Sequence, residues 1–283
     1  MSANVRFINT GQITHTVAEL CIKANILAKD DICAALCKAR EAETSELAKS
    51  TITTILKNAD AAAREKLPIC QDTGMAVVFV SLGMNVHIEG DITQAINEGV
   101  RQGYRRGYFR NSIVHDPINR VNTGDNTPAV IHYDFIPGDQ VRITVAPKGF
   151  GSENMSALRM LNPSDGLEGI EDFILETVKS AGANPCPPII IGVGIGGTME
   201  KAAIMSKQAL LRDINSVNPD PNWANVESRL LERINGLGIG AGGFGGKTTA
   251  LGVNILTYPT HIAGLPAAVN ISCHAARHET AVI

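Results

Sequence analysis

Cys70, Cys186 and Cys273 are the residues of this chain with the most chemistry to offer. Each stands beside a turn or at the end of an apolar run: Cys70 in LPICQDTGMAV, Cys186 in ANPCPPIII and Cys273 in VNISCHAARHE. Prolines on both sides of Cys186 stiffen the backbone and bar a helix through it. Three thiols presented rigidly from three separate loops can converge on one point. Three thiolates without a fourth suit a zinc ion with an open position, or an iron–sulfur cluster with one iron left for substrate. Spacing alone leaves a third reading open, that of ordinary thiols at strand ends. Cys21, Cys33 and Cys37 differ: they fall in a region of helical apolar periodicity and read as core or helix-surface thiols.

Polar residues cluster near the same segments. Gln71 and Asp72 follow Cys70 directly and, with Gly74, make a tight polar turn before a strand. Arg110, past the aromatic pair Tyr108-Phe109, has the type and setting of a carboxylate clamp, whereas Arg101, Arg105 and Arg106 read as a solvated helix face. His261 in YPTHIAG lies between a Pro-Thr turn and a glycine, a position suited to hydrogen bonding a substrate. In KGFGSENMSALRML a glycine turn with Gly151 leads to Ser152 and Asn154, which are expected to open a helix and so an anion-receptive terminus. His274 and His278 have the spacing of neighbours on one helix face, but Ala275 stands where a zinc-hydrolase pair needs Glu.

Two glycine-rich stretches suggest nucleotides instead. In GIGAGGFGGKTTALGV, residues 238–253, Ala241, Gly246, Lys247 and Thr248 fall where a Walker A loop places its small residue, last Gly, Lys and Thr. Such a loop joins a buried strand to a helix. Here a charged helix, VESRLLERINGLG, comes before it and a strand-like TTALGVNILTY after it. In GVGIGGTMEKAA, Gly192, Gly194 and Gly197 fit G-x-G-x-x-G in a strand–loop–helix setting. A dinucleotide site also needs a second strand ending in an acid, and Asp213, at the right spacing, sits at a helix end before a Pro-rich turn. What remains of this motif is close backbone approach and a helix terminus that can face an anion.

Bulk properties narrow the classes. The chain has 283 residues, 44% hydrophobic and 19% charged, with a net charge of −3. That is an ordinary globular composition with no basic surface to recommend nucleic acid or anionic lipid. No apolar run is long enough to span a bilayer, and MSANVRFINTGQITHTV lacks the basic start and apolar core of a secretory leader. Six cysteines do not make a disulfide scaffold at this length. The expected location is the cytoplasm.

The elements that must position these residues read as follows. Residues 12–65 are helical by periodicity, with an Asp pair at Asp30-Asp31 suited to capping. MAVVFVSLG and NVHIEGD are short strands around a turn at Gly83, and DITQAINEGVRQGYRRGYF is a helix capped by Asp91. AVIHYDFI and QVRITVAP, joined by PGD, are expected to form an antiparallel hairpin. LEGIEDFILETVKSAG, TMEKAAIMSKQALLRDI and NWANVESRLLERINGLG are helices; PPIIIGVGIGG, ALGVNILTY and AAVNISCH are strands. The expected fold is α/β or α+β, a mixed sheet region with flanking helices. One domain is expected over 1–283, with residues 1–65 as a helical N-terminal layer.

Taken in order, LPICQDTG, KGFGSEN, NPCPPIIIGVGIGGTMEKAA, GIGAGGFGGKTTALGVNI and YPTHIAGLPAAVNISCHAARH resemble the α subunit of class I iron–sulfur fumarate hydratase, a family that includes the tartrate dehydratase α subunit. The resemblance runs from about residue 10 to 280. It implies that Cys70, Cys186 and Cys273 hold a [4Fe–4S] cluster by three irons, the fourth staying open as a Lewis acid for the substrate's hydroxyl and a carboxylate. It implies that Gln71 and Asp72 contact substrate, with Asp72 in the proton path, and that Arg110 clamps a carboxylate. Gly151, Ser152 and Asn154 would supply backbone and polar contacts, and His261 would hydrogen-bond the bound acid. GIGAGGFGGKTTALGV becomes a structural glycine turn, with no role assigned to Lys247.

Single-chain members of the family are longer, and their second half carries further substrate-binding groups and the proton-abstracting hydroxyl. This chain therefore reads as the α subunit of the split form, completed by a separate β subunit in an α2β2 assembly. The leading expectation is reversible hydration of fumarate, a small dicarboxylate, to (S)-malate. The alternative is dehydration of L-tartrate to oxaloacetate, a difference of one hydroxyl that a single hydrogen-bonding residue can decide. Readings of other classes are a nucleotide-binding protein built on the glycine loops, and a zinc-dependent or purely structural binding protein.

Overall fold

Capping and periodicity set the element boundaries in the computed structural model, which describes residues 5–283; the first four residues of the N-terminal layer and of the leader reading lie outside it. In chain order the elements are β1 (Arg6–Asn9), α1 (Thr10–Ile26), α2 (Asp30–Ala42), α3 (Glu46–Glu65), β2 (Met75–Gly83), β3 (Val86–Glu89), α4 (Ile92–Arg106), β4 (Val130–Ile136), β5 (Val141–Lys148), α5 (Phe150–Glu153), β6 (Ala157–Leu161), α6 (Gly166–Ala181), β7 (Ile189–Gly196), α7 (Met199–Ala209), α8 (Pro221–Asn235), β8 (Ala250–Tyr258), β9 (Leu265–Ser272) and β10 (Glu279–Val282). Asn9 and Gln12 close a reciprocal capping box at the start of α1, and Asp91 caps α4 by accepting from the Gln94 amide. Asp30 and Asp31 do not cap α2. They lie in its first turn, where negative charge suits the helix dipole. Among the described residues no helix is long and apolar enough to cross a membrane.

The chain divides into two compact units: 1–28 with 59–150 and 277–283, and 29–58 with 151–276. The first unit holds a four-stranded sheet in the order β10-β5-β2-β4 and a parallel pair β1-β3. Alternate residues of β2 and β5, namely Ala76, Val78 and Val80 with Val141, Ile143 and Val145, bury one sheet face against Ile13, Val17, Leu20 and Cys21 of α1 and Ile96 and Val100 of α4. Burial pushes the Cys21 thiol up to about 12, which makes it an inert core group. Cys33 and Cys37 are half-buried on α2.

The second unit holds a sheet in the order β6-β9-β7-β8. β7 is apolar throughout because both of its faces are covered. Ile189, Ile191, Val193 and Ile195 pack with Phe173 and Ile174 of α6 and Leu230 and Ile234 of α8. Gly192 and Gly194 face the other way, where methyl groups would fall 2.1 Å from the Ser206 and Ala202 carbonyl oxygens of α7. Those glycines of the G-x-G-x-x-G motif admit a helix backbone, not a ligand. β7 runs parallel to β8 and antiparallel to β9, so the sheets are mixed and the α/β expectation holds.

The structure corrects several local expectations. AVIHYDFI and QVRITVAP form strands but not a hairpin, because β2 lies between them, parallel to β4 and antiparallel to β5. The PGD turn caps the end of β2 instead: Gly83, Met84 and Asn85 amides donate to the Gln140, Ile136 and Gly138 carbonyls at 2.9 Å each. The segment after Asn154 is a strand, not a helix. α5 has only four residues, and β6 pairs antiparallel with β9. Its inner residues Ala157 and Leu161 meet the core, while Arg159 lays its guanidinium 4.7 Å from the Phe173 ring centre, a period of two. His274 and His278 do not share a helix face; a turn occupies that stretch before β10 begins. The sequence reading did not include strands β1 and β10, each four residues long.

Candidate active site

In the first unit, the Cys70–Gly74 turn precedes β2 and is tied down from several sides. The Asp72 carboxylate accepts from the Gly74 amide on Oδ1 at 3.0 Å and from the Phe150 amide on Oδ2 at 2.8 Å. Thr73 is buried, and its hydroxyl donates to the Arg110 carbonyl at 3.1 Å. The Tyr104 hydroxyl donates to the Thr73 carbonyl at 2.7 Å and the Gly74 carbonyl at 3.1 Å, and Asn126 Nδ2 reaches the latter at 3.1 Å. Burial raises the Tyr104 phenol well above its ordinary value, so it stays a neutral donor. The Cys70 thiol is half-buried, 3.5 Å from Gln71 Oε1, and Gln71 itself is exposed. Arg110 follows the buried Phe109, with its side chain exposed. The turn thus presents a thiol, an amide and an oriented carboxylate in consecutive positions.

Arg277 also touches this turn, and sequence reasoning passed over it. It is buried, donates through Nη2 to the Asp72 carbonyl, and donates through Nε to the Pro147 carbonyl at 3.4 Å. Nothing local in HAARHE distinguishes it from a surface arginine.

In the second unit, Cys186 and Cys273 come to the same end of one strand pair. Ile190 is opposite Ser272 in the β7–β9 register, so Cys273 leaves β9 where the Cys186 turn enters β7. His274 Nδ1 lies 2.9 Å from the Cys186 carbonyl. Since a carbonyl only accepts, this ring nitrogen carries the proton. Burial lowers the His274 pKa, partly offset by that bond, so the ring is held neutral. Cys186 is exposed and its φ is +56°, a left-handed backbone that costs a residue with a Cβ about 1–2 kcal/mol. Strain of this kind gathers at functional sites.

The glycine-rich stretch supports that turn. It lies between α8 and β8 as irregular backbone with one short 3-10 turn, without the strand–loop–helix order of a phosphate loop. The Gly242 amide donates to the Pro187 carbonyl at 2.7 Å, next to Cys186. A methyl on Gly240 would sit 1.7 Å from the Gly245 carbonyl oxygen, and one on Gly243 would sit 2.3 Å from Ala183 Cβ. Lys247 now has a place: its amide donates to the Glu43 carboxylate at 2.8 Å and its ammonium to the Ala42 carbonyl at 3.1 Å.

The remaining expected residues of this unit are dispersed. His261 is exposed in the turn after β8 and accepts from the Ala263 amide through Nδ1 at 3.2 Å. Its proton in the neutral ring therefore sits on Nε2. With Thr260, Trp223 and Leu265 it lines a cavity of about 350 Å³. Asn154 lines a different cavity, of about 280 Å³, beside Arg159 and Phe173. Ser152 is buried and Gly151 exposed.

Among the described residues, no group of three or more His, Cys, Asp or Glu side chains is gathered as a metal site. The donor set nonetheless suits iron and sulfide. Soft thiol ligands are carried on rigid turns, one of them held in a strained backbone, with the neighbouring His274 occupied by a carbonyl.

Comparison with known proteins matches residues 14–282 to the family model described as fumarate hydratase (Fumerase). A Methanocaldococcus jannaschii protein, provisionally named L(+)-tartrate dehydratase subunit alpha, is 44% identical over 94% of this chain and 95% of its own length. The L(+)-tartrate dehydratase subunit alpha of Escherichia coli O157:H7 is 33% identical over 96% of this chain and 91% of its own, and that of Escherichia coli K12 is equally similar. The chain belongs to the fumarate hydratase family of hydro-lyases.

Proposed function

We propose that this chain is the alpha subunit of an iron–sulfur hydro-lyase that dehydrates L(+)-tartrate to oxaloacetate. The observation that carries the substrate is the set of relatives, matched nearly end to end, whose names give tartrate and subunit alpha. Fumarate hydration, the first expectation from sequence, becomes the second reading and rests on the family model. The relatives' names also support a beta subunit that completes the site.

In this proposal Cys70, Cys186 and Cys273 hold a [4Fe–4S] cluster. When bound, its open iron supplies a Lewis acid for the departing hydroxyl. Asp72, its carboxylate oriented by the Gly74 and Phe150 amides, handles a proton at the reacting carbons. Arg110 and Gln71, both exposed, bind the substrate's carboxylate and hydroxyl. His261 donates from Nε2 to the bound acid, while Gly151, Ser152 and Asn154 contribute backbone and polar contacts. Loss of one water from tartrate leaves an enol, which becomes oxaloacetate by proton transfer.

The test is iron and acid-labile sulfide per chain after anaerobic purification and reconstitution, followed by assay with the beta subunit on L(+)-tartrate and on fumarate. About four of each per chain, with faster turnover of tartrate, is expected. Faster turnover of fumarate selects the second reading, and zinc or no metal overturns the cluster.

A further inference from the structure

Two backbone segments of the first unit cage the Asp72 carboxylate. The Cys70–Gly74 turn supplies the Gly74 amide to Oδ1 at 3.0 Å, and the segment after β5 supplies the Phe150 amide to Oδ2 at 2.8 Å. Arg277 joins both segments. Its Nη2 donates to the carbonyl of Asp72 itself, and its Nε donates at 3.4 Å to the carbonyl of Pro147, three residues before Phe150. The cage is tight at the meeting point: a methyl on Gly149 would lie 3.2 Å from Asp72 Oδ2 and 3.9 Å from Arg277 Nη2.

Arg277 is an expensive choice for a brace. Its side chain is 7% exposed, yet its bonds to Asp72 and Pro147 end on neutral carbonyls. A guanidinium keeps its charge when buried, and here no carboxylate among the described residues is bonded to it: the Asp72 carboxylate lies nearby but accepts from the Gly74 and Phe150 amides instead. Its Nη1 is buried and meets no acceptor among the described residues. An unmet charged donor is not what packing alone selects, and such breaches of local rules gather at functional sites. What arginine offers here is its planar fork, which reaches two carbonyls of different segments at once.

We propose that Arg277 is a positioning residue of the Asp72 site. It locks the Cys70–Gly74 turn to the segment that carries Phe150, so that the two amides hold the Asp72 carboxylate in one orientation. The inference rests on the reading of Asp72 as the proton-handling carboxylate, but its first test does not depend on turnover.

That test is hydrogen exchange on the full chain, wild type against Arg277→Gln and Arg277→Lys. In R277Q the Gly74 and Phe150 amides should exchange at least about tenfold faster, while core amides of α1 and β7 keep their rates. R277K retains the charge without the fork and should protect at most one of the two amides. In the assembled enzyme R277Q should lower kcat about tenfold or more with KM nearly unchanged, because geometry and not ground-state binding is lost. Unchanged exchange at both amides in a folded R277Q overturns the proposal. So does faster exchange throughout the unit, or failure of both variants to fold, since either makes Arg277 a residue of the fold alone. If the exchange result holds and the wild-type enzyme turns over neither tartrate nor fumarate, the functional reading fails and the positioning role stands.

Discussion

His274 Nδ1 stands 2.9 Å from the carbonyl oxygen of Cys186, so the residue after one proposed cluster thiol is bonded to the backbone of another. The β7–β9 pairing delivers both cysteines to one end of the sheet, and this bond fixes the final turn of each. His274→Ala removes the donor and leaves the carbonyl of the exposed Cys186 to solvent. A net hydrogen bond of this kind is worth about 1 kcal/mol, close to a fivefold change in an equilibrium. Reconstituted H274A should therefore retain about fivefold less iron in a chelator competition, with its circular dichroism unchanged. Equal retention would show that the bond does not serve the thiols.

Cys186 separates strain from function. Its left-handed φ suits glycine, whereas alanine at that position keeps the strain and loses only the thiol. Cys186→Gly should be more stable than Cys186→Ala by about 1 kcal/mol, measured by urea denaturation, while neither variant holds a cluster. Cys70→Ser and Cys273→Ser should lose the cluster too, and Cys33→Ser on α2 should keep it. A C33S protein without iron, or a C186A protein with a full complement, would refute the ligand assignment.

What the sequence made legible follows the range of the forces involved. Helices α1, α4, α6 and α8 were readable because 3.6-residue periodicity and caps such as Asp91 are local. β7 was readable as a strand, but Gly192 and Gly194 looked like a nucleotide motif because the α7 backbone they accommodate is brought there by tertiary packing. The hairpin expected of β4 and β5 failed for the same reason: a short PGD connection says nothing about a third strand placed between them. At the proposed site, residue type and turn context singled out the cysteines and Asp72 only as candidates, and it was the family resemblance that gave them their expected roles. Arg277 was not singled out, because its role depends on two carbonyls more than a hundred positions away in sequence.

The glycine-rich stretch at 240–246 offers a test of its structural role. Gly243→Ala forces a methyl to 2.3 Å from Ala183 Cβ, beside the Cys186 turn. Overpacking of this kind costs about 1–3 kcal/mol, and the displaced turn should change the rate at which iodoacetamide alkylates Cys186 while leaving Cys70, in the other unit, at its wild-type rate. Lys247→Ala loses a single exposed bond to the Ala42 carbonyl and should cost no more than about 1 kcal/mol. Calorimetry with ATP or NAD should give no heat of binding in either variant or the wild type. A micromolar affinity lost in K247A would restore the phosphate-loop reading.

Glu171 gives the second unit a pH dependence whose direction follows from its partners. Its side chain is 6% exposed and bonds Arg229 and, at 2.6 Å, Arg233. Burial alone raises a carboxyl, but the hydrogen bonds and charges of Arg229 and then Arg233 outweigh it and hold Glu171 below its ordinary value. A carboxyl depressed in the folded state contributes stability that is fully present above its unfolded pKa, about 4.3, and that is lost as pH falls through the lower folded value. Glu171→Gln should therefore unfold at a lower temperature than wild type at neutral pH, by about 1–3 kcal/mol of stability, since Arg229 loses its carboxylate partner and Arg233 keeps only Asp172 at 3.3 Å, while both guanidiniums remain partly solvated. Below pH of about 4 the two melting curves should approach each other as the wild-type carboxyl takes up its proton. Melting temperatures that run parallel from neutral pH into acid would mean that the charge on Glu171 contributes nothing and that its burial is a matter of shape.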